Sequence, residues 1–170
     1  MKNKILVVCA LFFAFVVLAG CNQIENNDYL RIHIRANSNS EKDQFIKYEV
    51  KDLVIKHLTP FLTECESKEK VITMLIDNKS SLEHLIDDYL TMRNYEYTSE
   101  VVIDNEFFPT RYYGSILLPS DYYDAIIINL GEGAGDNWWC VVYPPLCFTN
   151  TNNIIYKSKI AEIISNFFKI

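Results

Sequence analysis

Apolar and polar residues alternate one for one along Leu30-Arg31-Ile32-His33-Ile34-Arg35, the period-two pattern of a strand with one buried face. The period then lengthens. Ile46, Val50, Leu53, Val54, His57, Leu58 and Phe61 recur at three- and four-residue spacings and predict an amphipathic helix. Ser38 with Glu41, or Ser40 alone, can cap its start, and Pro60 should end or kink its last turn. A second helix is predicted from about Lys68 to Met92, on Val71, Ile72, Leu75 and Ile76, then Leu82, Leu85, Ile86, Tyr89 and Leu90; Asn78-Lys79-Ser80-Ser81 is where it would break in two. Tyrosines and β-branched residues at alternate positions make Tyr95 to Asp104 a strand. Tyr113 to Leu118 and Ala125 to Leu130 read as two more, divided by a Pro119-Ser120-Asp121 turn, and Trp138 to Tyr143 as a fifth. Ile160, Ile163, Ile164 and Phe167 predict a last helix over Tyr156 to Phe168. Strand, two helices, four strands and a helix point to an α+β fold, a mainly antiparallel sheet of about five strands with two to three helices packed on one face.

The N-terminus changes the picture. Met1-Lys2-Asn3-Lys4 is a short basic region, Ile5 to Leu18 an uncharged apolar run, and Leu18-Ala19-Gly20-Cys21 closes it with small residues before a cysteine. That is the form of a signal peptide rather than a permanent span. The cysteine after Leu-Ala-Gly sharpens it to a bacterial lipoprotein signal over residues 1–20, with Cys21 as the diacylated first residue of the mature chain; ordinary secretion and an uncleaved anchor helix are the alternatives. Residues 21–28, polar and rich in asparagine, form a tether, and 29–170 are about one domain's worth of chain. Removing residues 1–20 takes away two lysines and no acid. The mature chain then carries 14 basic and 22 acidic residues, a net charge of −8. An acidic chain without a basic cluster argues against nucleic acid and anionic lipid as partners.

Candidate chemistry is sparse. Gly131-Glu132-Gly133-Ala134-Gly135 invites a phosphate-loop reading, but such a loop needs a helix directly after it, and Trp138-Trp139-Cys140-Val141-Val142-Tyr143-Pro144-Pro145 cannot begin one. The glycines instead suit positive φ in a tight loop. Cys140 with His33, His57 or His84 would suit a cysteine hydrolase, since a thiolate needs a nearby base; yet His57 sits on an apolar helix face, His84 on a surface, and His33 alternates outward on its strand. A disulfide between Cys140 and Cys147 around the Pro144-Pro145 turn suits an exported chain. A bridge from Cys65 to one of them, and free buried thiols, are the rivals. The histidines and cysteines show no metal-ligand spacing, and no cofactor is implied. In an extended segment Trp138 and Trp139 face opposite ways, one toward a core and one toward a rim. Arg111 is either a contact residue or a neutralised strand-end charge.

Four motifs, in order, carry a family likeness. They are Leu30 to Ser40 with Asp43-Gln44, Phe108-Pro109-Thr110-Arg111-Tyr112-Tyr113, Leu118-Pro119-Ser120-Asp121-Tyr122, and Gly131 to Phe148, which holds both tryptophans. Together they resemble the stage II sporulation protein R family, small exported signalling proteins of endospore-forming bacteria. The resemblance implies export across the forespore membrane into the space between the two sporulation membranes. There the protein would act on a membrane-embedded aspartic protease that removes the pro-segment of pro-sigma-E, by contact and without catalysis of its own. A lipidated Cys21 departs from the family's secreted form and bears on free diffusion. No catalytic residue is assigned. The expected partner contacts are Asn137, Trp138, Trp139, Pro144 and Pro145, with Arg111. An extracytoplasmic cysteine hydrolase and a ligand-binding lipoprotein are the other readings.

Overall fold

The computed structural model describes residues 28–148 apart from Ser115. The signal peptide, Cys21, most of the tether and the last predicted helix lie outside the described residues. The elements run β1 (Leu30–Arg35), α1 (Glu41–Leu62), α2 (Lys68–Met92), β2 (Ser99–Phe108), β3 (Arg111–Tyr113), β4 (Ile116–Leu118), β5 (Asp121–Leu130) and β6 (Asn137–Tyr143). The fold is α+β, with a correction to its sheet. Four strands in the order β2-β5-β1-β6 form the main sheet, and β3 with β4 forms a separate two-stranded one. The main sheet is mixed: β1 lies parallel to β5 in register Leu30↔Asp124 to Arg35↔Asn129, while β1–β6 and β2–β5 are antiparallel.

Both helices are set by their apolar stripes and polar caps. Ser40 caps α1, its hydroxyl accepting from the Asp43 N–H at 3.1 Å, and Ser67 caps α2 by accepting from Lys70 N–H at 3.3 Å. Pro60 stands in the last turn of α1, which ends at Leu62. The expected break in α2 does not occur. Leu75, Leu82 and Ile86 keep one buried stripe across it, and the Asn78 side chain donates back to the Met74 carbonyl at 2.8 Å. These helices cover one face of the sheet, where Ile46, Val50, Val54, Val71, Leu75 and Ile86 meet Leu30, Ile32, Ile34, Val101, Ile126, Ile128 and Cys140.

The strand boundaries differ from expectation in two places. The strand predicted from Tyr95 begins at Ser99 and runs on to Phe108, because its pairing with β5 carries the polar Asp104-Asn105-Glu106 stretch with it. Tyr95 and Tyr97 pack beside the start of α1 instead, where the Tyr97 hydroxyl donates to Asp43. The single strand predicted over 113–118 is a hairpin, β3–β4, with Gly114 at φ 62° in its turn.

The two edges of the main sheet are treated differently. On β2, the Ser99 and Val101 N–H groups donate to α2 carboxylates, Asp87 at 2.6 Å and Glu83 at 2.8 Å, which blunts that edge against further pairing. On β6, the Cys140–Cys147 disulfide folds the following chain back beside the strand.

Candidate recognition face of the sheet

β1 is buried on both sides, and its second face is basic. Alternation sends Leu30, Ile32 and Ile34 toward the helices and Arg31, His33 and Arg35 the other way. The β3–β4 hairpin bends over this second face, so Tyr113, Ile116 and Leu118 close a smaller core with Phe108, Tyr123, Ile127, Val141 and Trp139. The result corrects the outward reading of His33, which is 5% exposed, with Arg31 at 0%.

Arg31 sits in a cage of rings. Its Cζ is 4.1 Å from the Phe108 centroid, 4.8 Å from Tyr123 and 5.7 Å from Tyr113. Nη2 donates to the Tyr113 hydroxyl at 2.7 Å, while Nε and Nη1 are buried without a hydrogen-bond partner among the described residues. Burial lowers its pKa, the Tyr113 hydroxyl working against that. Ring faces offer a guanidinium some compensation, on the order of 2 kcal/mol when desolvated.

His33 comes next along the strand. Its Nδ1 is 2.7 Å from Glu106 Oε2, and the other oxygen of that carboxylate accepts from Arg35, which also donates to Asn129 Oδ1 at 3.2 Å. Burial pushes His33 down to about 4; the Asn137 side chain opposes this, and the Arg35 and Arg31 cations reinforce it. The ring is therefore neutral at pH 7, with its Nδ1–H donating to Glu106. The ring lies between Trp139, with centroids 5.4 Å apart, and Phe108, 5.8 Å away. Arg111 caps the row, its Cζ 4.3 Å from the Trp139 centroid, and among the described residues it has no ion pair. Arg111, Trp139, His33, Phe108 and Arg31 thus form one row across the face, three rings with the neutral imidazole at their centre and a guanidinium at each end. No nucleophile is bonded to His33 among the described residues.

At the far end of β1 two of the sequence motifs clasp each other. Asn37 Oδ1 accepts from the Glu132 N–H at 2.9 Å, Asn39 Oδ1 from Asp136 N–H at 2.6 Å, and the Gly135 N–H donates to the Ala36 carbonyl at 2.8 Å. Gly131 has φ 55°, and a side chain at Gly135 would overlap the Ser38 carbonyl, so both glycines answer to this contact. Asp43 anchors the turn from the helix side, accepting from Ser38 Oγ at 2.6 Å, Tyr97 at 2.8 Å and Asn37 at 3.0 Å. Burial would raise Asp43, but hydrogen bonds from Ser38, Tyr97, Asn37 and Ser40 outweigh it and hold it below its ordinary value. Lys47, also buried, donates to Gln44 at 2.6 Å and to the Asp136 carbonyl at 2.9 Å, fixing the loop that leads into β6.

The six expected contact residues are distributed by this geometry. Arg111 and Trp139 meet on the second face. Trp138 turns to the helix face, half-buried, with Lys51 Nζ 6.0 Å from its ring. Asn137 opens β6 at the clasp, and Pro144-Pro145 lie beyond its opposite end, after a cis Tyr143–Pro144 peptide. Cys140 is fully buried on the helix face and joined to Cys147, with Cα atoms 6.3 Å apart, and Cys65 is free. His33 therefore lies across the sheet from that sulfur. From sequence His33 reads only as an outward-facing residue or a base for Cys140, and Arg31, Arg35 and Glu106 carry no site role; the three basic residues at alternate positions of one strand, with a tyrosine-rich segment elsewhere in the chain, are the signal that raises them.

Fold and face together define a small α+β domain in which a row of rings and guanidinium groups packs between the sheet and the hairpin. A family model described as Stage II sporulation protein R matches residues 26–153. Stage II sporulation protein R of Bacillus subtilis (strain 168) is 34% identical over 124 residues, which cover 73% of this chain and 55% of that protein. The chain belongs to the stage II sporulation protein R family. It spans about half the length of this curated relative. No solved structure matches.

Proposed function

We propose that this protein is the exported signal of endospore formation that activates a membrane-embedded aspartic protease, which in turn processes pro-sigma-E. Family membership over residues 26–153 carries this reading. Export across the forespore membrane, through the signal peptide read over residues 1–20, delivers the domain to the space between the two sporulation membranes, where Cys21 anchors it by lipid. Activation proceeds by contact. The stacked pair of Arg111 and Trp139 suits that role, because half-exposed aromatic and guanidinium groups held in place by packing recognise a partner at low entropic cost. Of the expected contacts, Arg111, Trp139 and Asn137 share one face of β6 and its approach, and the reading centres on them. Co-expression with the protease and its precursor substrate tests it. Cleavage should depend on this chain, and cleavage at the same level without it would sink the proposal.

A further inference from the structure

The main sheet ends in two edge strands, β2 and β6, and they are closed to different extents. Ser99 and Val101 of β2 give their N–H groups to Asp87 and Glu83 of α2, so that edge has lost two of the donors a further strand would need. On β6 only the second half is screened, where the Cys140–Cys147 disulfide brings the chain back beside the strand. For Asn137 to Trp139 no backbone partner other than β1 is found among the described residues. Beside this open half lies a cavity of about 340 Å³, lined by Gln44, Lys47 and Tyr48 of α1 with Asp136, Asn137 and Trp139. The helix therefore stands off from the edge and leaves room for added chain.

The side chains along β6 decide what that edge can accept. Trp138 faces the helices and Trp139 the hairpin, both half-buried. Each has a cation beside its ring, Lys51 Nζ at 6.0 Å from Trp138 and Arg111 Cζ at 4.3 Å from Trp139. A strand laid along this edge alternates its own side chains between the same two faces, within about 5.5 Å of their β6 neighbours. Carboxylates at adjacent positions on it would meet Lys51 on one face and Arg111 on the other. Arg111 has no ion pair among the described residues, and Lys51 is paired with its exposed neighbour Asp52. A second copy of this chain fits poorly, since pairing β6 with β6 brings two such sets of cations to one seam.

We infer that the open half of β6 is a strand-addition site, which takes an extended, acidic segment of the protease as a fifth strand of the main sheet. The inference rests on the reading of this protein as a contact activator and names the chemistry of the contact. Alternate residues of an edge strand turn N–H and C=O outward together, so main-chain hydrogen bonds supply the pairing. Lys51, Arg111 and the two indoles then select the side chains. Tyr48, 50% exposed on α1, lines the same cavity and flanks the added strand on the helix face.

The test compares amide hydrogen exchange in the mature chain alone and bound to the detergent-solubilised protease. Amides from Asn137 to Trp139 should exchange at least about tenfold more slowly in the complex, while those of Ser99 and Val101 on the closed edge should not change. Unchanged exchange at 137–139 in a complex that forms overturns strand addition and leaves Lys51 and Arg111 as guards of an idle edge. Slowing that appears in the chain alone as its concentration rises assigns the edge to a second copy and overturns it equally. A variant carrying Lys51→Glu and Arg111→Glu should bind the protease at least about tenfold more weakly; native affinity in that variant overturns the acidic partner. The exchange readout uses the native chain, so it stands even if the charge reversal disturbs folding. Failure of the underlying reading looks different. Pro-sigma-E cleavage that needs no such chain removes the contact itself, whereas cleavage that depends on the chain, with β6 exchange unaltered in the complex, removes the added strand alone.

Discussion

The guanidinium of Arg111 lies over the indole of Trp139, 4.3 Å from its centroid, although the two residues belong to different sheets. The contact ties the β3–β4 hairpin to β6. Trp139 is itself the register partner of His33, so the stack extends from a half-exposed cation down to the centre of the main sheet. Arg111 is the outermost member and has no ion pair among the described residues, which leaves its donors available to a partner.

Arg111→Ala should therefore lower pro-sigma-E cleavage in the co-expression assay while shifting the unfolding free energy by no more than about 1 kcal/mol, the worth of an exposed cation–π contact. Trp139→Ala should lower cleavage and also cost stability, because its ring covers Val141 and His33. Trp138→Ala, on the opposite face, should cost stability with a smaller effect on cleavage. Full cleavage with Arg111→Ala in a stably folded chain would remove Arg111 from the contact.

The clasp between Asn37 and the 131–136 loop gives a sharper stability test. At Gly135 an added Cβ would overlap the Ser38 carbonyl and come within 3.0 Å of Ala36 Cβ, so the loop or the turn must move and the Asn39 and Gly135 hydrogen bonds go with it. Gly135→Ala should destabilise by about 2 kcal/mol or more in urea unfolding. Gly114→Ala is the control: φ is 62° there, but nothing lies within 4 Å of the new carbon. Only backbone strain of about 1 kcal/mol is expected. Equal effects of the two substitutions would mean that the clasp adds nothing.

Much of this architecture was legible because it rests on periodicity. The stripes of α1 and α2, the Ser40 cap and the alternation of β1 follow from local residue choice, and the Gly131 loop was readable as a turn because Trp138 to Pro145 cannot be a helix. What stayed hidden depends on contacts far apart in sequence. The parallel pairing of β1 with β5 bridges about ninety residues and leaves no local mark. Arg31 and His33 read as solvent-facing because alternation alone assigns charged residues to water. Only the hairpin bending back from Phe108, with Tyr113 and Glu106 supplying partners, makes that face an interior. Of the residues on the candidate face, Arg111, Trp139 and Asn137 were named from the sequence. Its buried half was missed for that reason.

His33 should make folding stability depend on pH in a defined window. Its folded value of about 4 lies below the ordinary 6.5, so between those values the unfolded chain binds a proton that the folded chain refuses. Stability from this group is complete above about pH 6.5 and declines as pH falls toward about 4. Glu106 favours a charged ring, but it is already bound to Arg35, which limits the opposition. Urea midpoints measured at about pH 7, 6 and 5 should fall more steeply for the native chain than for His33→Gln. Parallel pH profiles for the two would show that His33 titrates as it does in water.

Arg31 separates the energetics of a buried charge from those of the space it fills. Its guanidinium is fully buried, bonded to Tyr113 through Nη2, and leaves Nε and Nη1 unpartnered among the described residues. The rings of Phe108, Tyr123 and Tyr113 hold it, and they would hold an apolar chain of similar length as well. Replacing a buried ion by a well-packed apolar residue is often neutral or stabilising by about 1–4 kcal/mol. Arg31→Met should thus leave stability unchanged or raise it, whereas Arg31→Ala, which empties the cage, should cost about 2–5 kcal/mol. The comparison also bears on function, because Arg31 touches neither solvent nor the exposed end of the stack. Arg31→Met should keep cleavage of pro-sigma-E near the native level. Loss of stability in Arg31→Met comparable to that in Arg31→Ala would mean that the charge itself holds the hairpin down, through interactions stronger than the ring faces supply.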